Sequence, residues 1–162
     1  MAAHVLTVTW DRVHRDAVDL ASLLAGMAPF AGIVAVARGG LVPAAIVARV
    51  LRCRLVETVS VASYEGESPG APAVIKRPDA AGDGTGFLVV DDLVDTGATA
   101  GLVRAMLPKA HFACLYAKPA GRSLADTFVT LVHQDTWIVF PWETDARGDG
   151  APAGPAPETI GP

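Results

Sequence analysis

The sequence predicts an α/β domain with a mainly parallel central sheet flanked by helices. Three observations lead there. Short apolar runs recur at 32–36, 87–90 and 111–117, and such runs read as parallel strands buried on both faces. The first two run into Gly-containing turns that open new apolar, helix-like segments. The chain has 162 residues, enough for one domain with a proper core.

Val5 to Thr9 is a short β-prone run. Asp11 can then cap a helix with Val13, Ala17, Leu20, Ala21 and Leu24 on one face. His14 lies off that stripe and reads as a surface histidine. Gly26 and Pro29 end the segment. The second strand, Gly32 to Val36, leads into Ala37-Arg38-Gly39-Gly40 and a helix from Leu41 to about Leu51. Two glycines beside an arginine permit close backbone approach to an anion with a forked cationic donor alongside. An ordinary turn with a surface arginine is the plainer alternative. Leu55 to Ala62 alternates enough for a strand.

The stretch 64–86 is mostly Gly, Pro, Glu, Asp and Ala around Val74-Ile75-Lys76-Arg77. That is long for a structureless connector. It reads as a hairpin-like flap able to close over a site and exclude water, or else as a surface loop. After the third apolar run, Gly101, Leu102, Ala105 and Met106 continue a helix face that Pro108 stops. His111 to Ala117 is a strand ending in Lys118-Pro119-Ala120-Gly121-Arg122, and Phe128 to His133 can form another. From Asp145 the chain is Ala, Gly and Pro with a few charges, a composition expected to be disordered or loosely docked. Its Arg147-Gly148-Asp149 tripeptide is read as chance.

The chain is organised around Phe87-Leu88-Val89-Val90-Asp91-Asp92-Leu93-Val94-Asp95-Thr96-Gly97-Ala98-Thr99. A buried strand ends in paired carboxylates, a third follows, and a small-residue turn opens a helix. Ligands of open α/β sheets sit at that edge. Thr96, Gly97, Ala98 and Thr99 place hydroxyls and backbone N–H groups where a phosphate can bind. Acids beside a phosphate cradle should repel the ligand. A ribose explains them through its hydroxyls, and a divalent cation explains them by offsetting their charge. The bland alternative is a solvated acidic turn with a good helix start.

This motif resembles the PRPP-binding motif of the type I phosphoribosyltransferases. The 6-oxopurine branch is resembled further in Val8-Thr9-Trp10-Asp11, Arg38-Gly39-Gly40-Leu41-Val42-Pro43, Pro108-Lys109-Ala110-His111-Phe112, Ala117 to Arg122, and Gln134-Asp135-Thr136-Trp137-Ile138. The likeness runs from about Val5 to Glu143. It implies the type I fold over 1–143, with a flexible flap at about 64–86, a small hood from the N-terminus and 119–143, and a tail at 144–162. It implies transfer of 5-phosphoribosyl from PRPP to guanine or xanthine, hypoxanthine less well, giving GMP, XMP or IMP and pyrophosphate.

The implied roles follow residue by residue. Arg38 and Gly39 hold pyrophosphate, with a strained or cis peptide near Ala37–Arg38. Asp91 and Asp92 engage the ribose hydroxyls, and Asp92 contacts Mg²⁺. Asp95 to Thr99 grip the 5′-phosphate, and Asp95 is also the general base. Lys118, Trp137 and Ile138 bind the purine. Lys118 offers only donors, which suits a 6-oxo group and opposes a 6-amino group. Trp137 offers a flat face for stacking. A solvated lysine and a core tryptophan are the plain alternatives. Two departures stand out. Ala98 replaces a usual glycine, and 65–73 has no basic residue, leaving Lys76 and Arg77 as substitutes.

Composition bounds the classes. A formal charge of −4 opposes broad nucleic-acid binding. Two distant cysteines, Cys53 and Cys114, suit a reducing cytoplasm without a disulfide framework. No leader is seen, and the apolar region 31–51 is broken by Arg38, Gly39, Gly40, Pro43 and Arg49, so it is no membrane span. The resemblance adds a homotetramer and a loose peripheral membrane association. Two other classes compete: a PRPP-sensing regulator without catalysis, and a transferase for adenine or a pyrimidine.

Overall fold

A computed structural model describes residues 4–62 and 72–144. In chain order the elements are β1 (Val5–Thr7), α1 (Trp10–Leu24), β2 (Gly32–Ala37), α2 (Leu41–Val50), β3 (Val56–Ala62), β4 (Ala73–Lys76), β5 (Phe87–Val94), α3 (Ala98–Met106), β6 (His111–Ala117), β7 (Thr127–Leu131), β8 (Trp137–Val139) and α4 (Pro141–Thr144). Six strands form one sheet in the order β4-β3-β2-β5-β6-β7. Every pairing in it is parallel except β3 with β4. The predicted α/β architecture with a mainly parallel sheet is therefore observed.

The apolar runs are continuous because both faces are covered. On one face Ile33, Ala35, Leu88, Val90, Ala113 and Leu115 pack with α1 and α2. On the other, Val34, Val36, Val89, Phe112 and Cys114 pack with α3. Neighbouring residues of a strand point to opposite faces, so each run feeds two cores. β2 has β3 on one side and β5 on the other. The loops after β2 and β5 consequently part, and a crevice opens at the carboxyl ends of the strands.

Several local expectations change. The cap of α1 is Thr9, whose hydroxyl accepts the Arg12 N–H at 3.2 Å, while Asp11 sits in the first turn. The expected stripe of α1 is buried in full, and Asp16 is buried with it. That carboxylate accepts from Arg12 Nε at 2.8 Å and from the Tyr116 hydroxyl at 2.5 Å. The inward face of α3 is Ala100 and Val103, followed by Leu107, whereas Ala105 is exposed. β5 continues through both paired acids to Val94, because β6 pairs with it as far as Ala117.

The stretch expected as one flap divides. Residues 63–71 lie outside the described residues, and β4 returns antiparallel along β3. Asp79–Ala81 forms a 3-10 turn with Ala81 buried in the core, and Gly84, at φ +89°, lies tightly against Ala110. The segment from Asp79 to Gly86 is thus anchored to the core at Ala81 and Gly84, with its other residues exposed. The expected tail beyond Thr144, with its Arg-Gly-Asp tripeptide, also falls outside the described residues. No helix among the described residues is long and apolar enough to cross a membrane.

A second, two-stranded parallel sheet joins the ends of the domain, with Val5 opposite Trp137 and Leu6 opposite Ile138. Phe140, directly after β8, packs edge-on against Tyr116 and stacks on Trp142. This aromatic group sets β8 over the end of β6.

Candidate active site

Three loops meet at the crevice. The first follows β2. Its Ala37–Arg38 peptide is cis, as the resemblance implied. A Cβ on Gly39 would fall on the Asp92 carboxylate, and one on Gly40 would strike the carbonyl oxygens of Val90 and Val36. The two glycines let this loop rest directly on the acidic end of β5. Arg38 is exposed beside it.

The second component is the end of β5. The Asp91 carboxylate is buried and accepts the Asp92 N–H at 2.9 Å. Asp92 accepts the Leu93 N–H at 2.7 Å. Burial pushes Asp91 well above the usual carboxylate range, and the neighbouring Asp92 charge adds to it. Burial likewise raises Asp92, to about 6. No Lys or Arg pairs with either acid among the described residues. The donor set is hard oxygen, without a group of three or more His, Cys, Asp or Glu side chains among the described residues. One or two carboxylates completed by substrate oxygens is how Mg²⁺ is commonly held, so the residues fit that ion.

Beyond Val94 the chain turns through Asp95 and Thr96 to Gly97, which has φ +91° and starts α3 without a side-chain cap. The Ala98 N–H reaches only Thr96 Oγ1, at 3.4 Å. An uncapped helix start leaves N–H groups for an anion. Ala98 is exposed at the first helical position, so its methyl group does not crowd the turn.

The third loop follows β6. Gly121 backs the turn from Asp95 to Gly97 closely: a Cβ there would lie 2.6 Å from the Asp95 carbonyl oxygen and 2.8 Å from the Gly97 nitrogen. Lys118 is 5% exposed, and its Nζ donates to Asp95 Oδ2 at 2.8 Å. A buried lysine with one carboxylate partner is not the solvated residue of the plain alternative. Trp137 is 46% exposed, so its ring is free for a ligand and is not core.

Asp92, Leu93, Asp95, Lys118, Trp137, Ile138, Phe140 and Glu143 line one hollow of about 260 Å³. It unites the predicted purine-side residues with one metal candidate and the general-base candidate. Arg38 and Thr96 to Thr99 do not line it. A wider basin of about 640 Å³ lies by Arg49, Arg52 and Arg54, with no acid in it. Lys76 is taken by Glu57 and the Thr58 carbonyl oxygen, so of the two basic substitutes only Arg77 remains. Sequence reasoning missed Gln134, Gly121, Phe140 and Glu143 as site residues. Gln134 and Gly121 stood inside quoted motifs, which was the available signal.

The phosphoribosyl transferase domain family matches residues 30–147. The chain is 60% identical over 144 residues to a xanthine-guanine phosphoribosyltransferase of Gluconobacter oxydans (strain 621H), covering 87% of this chain and 86% of that enzyme. It is 55% identical to the enzyme of the same name from Nitratidesulfovibrio vulgaris (strain DP4), covering 88% and 87%. Among solved structures, a purine phosphoribosyltransferase from Pyrococcus horikoshii Ot3 superposes with a TM-score of 0.74 at 31% identity, covering 86% of this chain and 94% of that one. The acid-ended β5, the glycine loop resting on it and the matched residues agree, and this chain belongs to the phosphoribosyl transferase family.

Proposed function

We propose that this enzyme transfers the 5-phosphoribosyl group of PRPP to guanine or xanthine, and less well to hypoxanthine, releasing pyrophosphate and GMP, XMP or IMP. The observation that carries the choice of base is Lys118: a nearly buried donor-only side chain beside an exposed tryptophan face. A 6-oxo group satisfies it, and a 6-amino group leaves two donors facing each other. The names of the relatives support the same bases.

Arg38 and the Gly39 backbone hold the pyrophosphate of PRPP. Asp91 and Asp92 receive the ribose hydroxyls, and Asp92 is the metal contact. Thr96 to Thr99, with the Asp95 backbone, grip the 5′-phosphate. Asp92, with substrate oxygens, would hold Mg²⁺, which would offset charge at the leaving pyrophosphate. The C1′–O bond breaks with its electron pair on pyrophosphate, the purine N9 bonds to C1′, and Asp95 accepts the purine proton near N7. Trp137 stacks on the base and Ile138 meets its edge. Placement and charge stabilisation account for most of the acceleration.

The working unit is a homotetramer located in the cytoplasm. Supporting the assembly, α2 and the segment after it expose Leu41, Val50, Leu55 and Val56. The thiols of Cys53 and Cys114 are free, in keeping with a reducing compartment. Peripheral membrane association rests on the resemblance alone.

A panel of purine and pyrimidine bases with PRPP and Mg²⁺ tests the reading. Pyrophosphate release with guanine and xanthine, and none with adenine, is expected. Lys118→Ala should cut the preference for guanine over adenine by about 100-fold. PRPP binding with no turnover on any base would favour the regulator.

A further inference from the structure

Going beyond that reading, and resting on its assignment of Asp95 as general base, we propose that Gln134 is the positioning residue that keeps Asp95 aimed at the purine when Lys118 leaves it. The Asp95 side chain is 46% exposed and stands in a loop, where burial does little to hold a rotamer. Its two oxygens are held separately. Oδ2 accepts from Lys118 Nζ at 2.8 Å, and Oδ1 accepts from Gln134 Nε2 at 2.9 Å. The Gln134 amide is itself anchored, because its Oε1 accepts the Ala120 N–H at 2.9 Å. A backbone N–H needs an acceptor and a carboxylate needs a donor, so only one orientation of the amide satisfies both.

The two holds differ in what happens when a base arrives. Lys118 lines the hollow where the purine binds. Its ammonium must redirect a donor to the 6-oxo oxygen, which weakens its grip on Oδ2. That exchange makes a lone pair on Oδ2 available for the purine proton. Gln134 does not line the hollow, and its bonds run to Oδ1 and to the backbone of the loop after β6. It stays in place while Lys118 turns. The amide also lies three residues before Trp137, on the segment leading into β8. One short segment therefore places both the stacking face and the carboxylate. Without this hold, Asp95 is free to rotate toward solvent, and a displacement of about 1 Å costs roughly 100-fold in rate.

The experiment compares Gln134→Glu with Gln134→Leu in the full chain. Glutamate keeps an acceptor for the Ala120 N–H but loses the donor to Asp95. Leucine loses both. Both variants should lower kcat with guanine by about 10- to 100-fold while KM for PRPP stays within about twofold, because the PRPP-holding groups are untouched. Gln134→Glu sets a second carboxylate against Asp95 at a half-exposed site, so it should lower the thermal midpoint by only a few degrees, which separates positioning from folding. In an Asp95→Asn background, Gln134→Glu should cause no further loss, since its target is already gone. Gln134→Glu with parental kcat would overturn the proposal. So would a parallel fall of kcat, PRPP affinity and thermal midpoint, which marks a merely structural residue. If Asp95→Asn itself turns over guanine at the parental rate, the general-base reading fails and the role of Gln134 falls with it. If Asp95→Asn is inactive and Gln134→Glu is not, only the positioning role fails.

Discussion

Replacing Asp92 by Asn should make the ligand-free protein more stable and the enzyme far less active. The carboxylate sits against Gly39 and near the buried Asp91, and burial raises it from 3.8 to about 6. A carboxylate that holds its proton more tightly when folded favours the fold at low pH. Stability then falls as pH rises from about 4 to 6, and the full penalty stands above 6. A displacement of roughly two pH units corresponds to a ceiling of about 3 kcal/mol, and the side of the carboxylate open to the hollow reduces it to about 1–2 kcal/mol. Asparagine removes the ionisation and retains an oxygen for the Leu93 N–H, which Asp92 bonds at 2.7 Å. The variant should therefore gain about 1–2 kcal/mol at pH 7.5, or about 2–8 °C in Tm, and nothing at pH 4. Thermal unfolding followed by circular dichroism between pH 4 and 8 reads this directly. Turnover with PRPP, Mg²⁺ and guanine should fall by about 100-fold or more, since the proposed metal contact is lost. A variant no more stable than its parent at pH 7.5, or a gain that does not vary with pH, would refute the argument that this acid is kept charged against the preference of the fold.

Gly39→Ala places a methyl group on the Asp92 carboxylate, so the loop must move. PRPP binding measured by calorimetry should weaken by at least about tenfold, with a stability cost of about 1–3 kcal/mol. Tyr116→Phe removes the hydroxyl that bonds the buried Asp16 and leaves that carboxylate to Arg12. Denaturant unfolding should show a loss of about 1–3 kcal/mol, with KM for PRPP unchanged. Leu88→Ala opens a void where a fully buried side chain packs with α1 and α2 and should cost about 2–5 kcal/mol by the same measurement.

Much of the site was legible because its signals are local. An apolar strand ending in two acids, followed at once by a small-residue turn, encodes strand, crevice edge and helix start within thirteen consecutive positions. The glycines after β2 were legible for a related reason: adjacent glycines at a strand end announce a close approach, though not that the group approached is Asp92. Lys118 and Trp137 were read through a family pattern. Their chemistry depends on exposure, 5% and 46% respectively, which no local pattern states.

What the sequence determined by itself was the set of elements and the chemical character of one sheet edge, since hydrophobic runs, carboxylates and turn residues act through near neighbours along the chain. The tertiary structure alone decided which distant groups share a proton or a hydrogen bond. Tyr116 meets Asp16 across 100 positions and Gln134 meets Asp95 across 39. Such pairs leave no periodic trace, because a hydrogen bond depends on where the fold sets two atoms in space and not on how many residues lie between them.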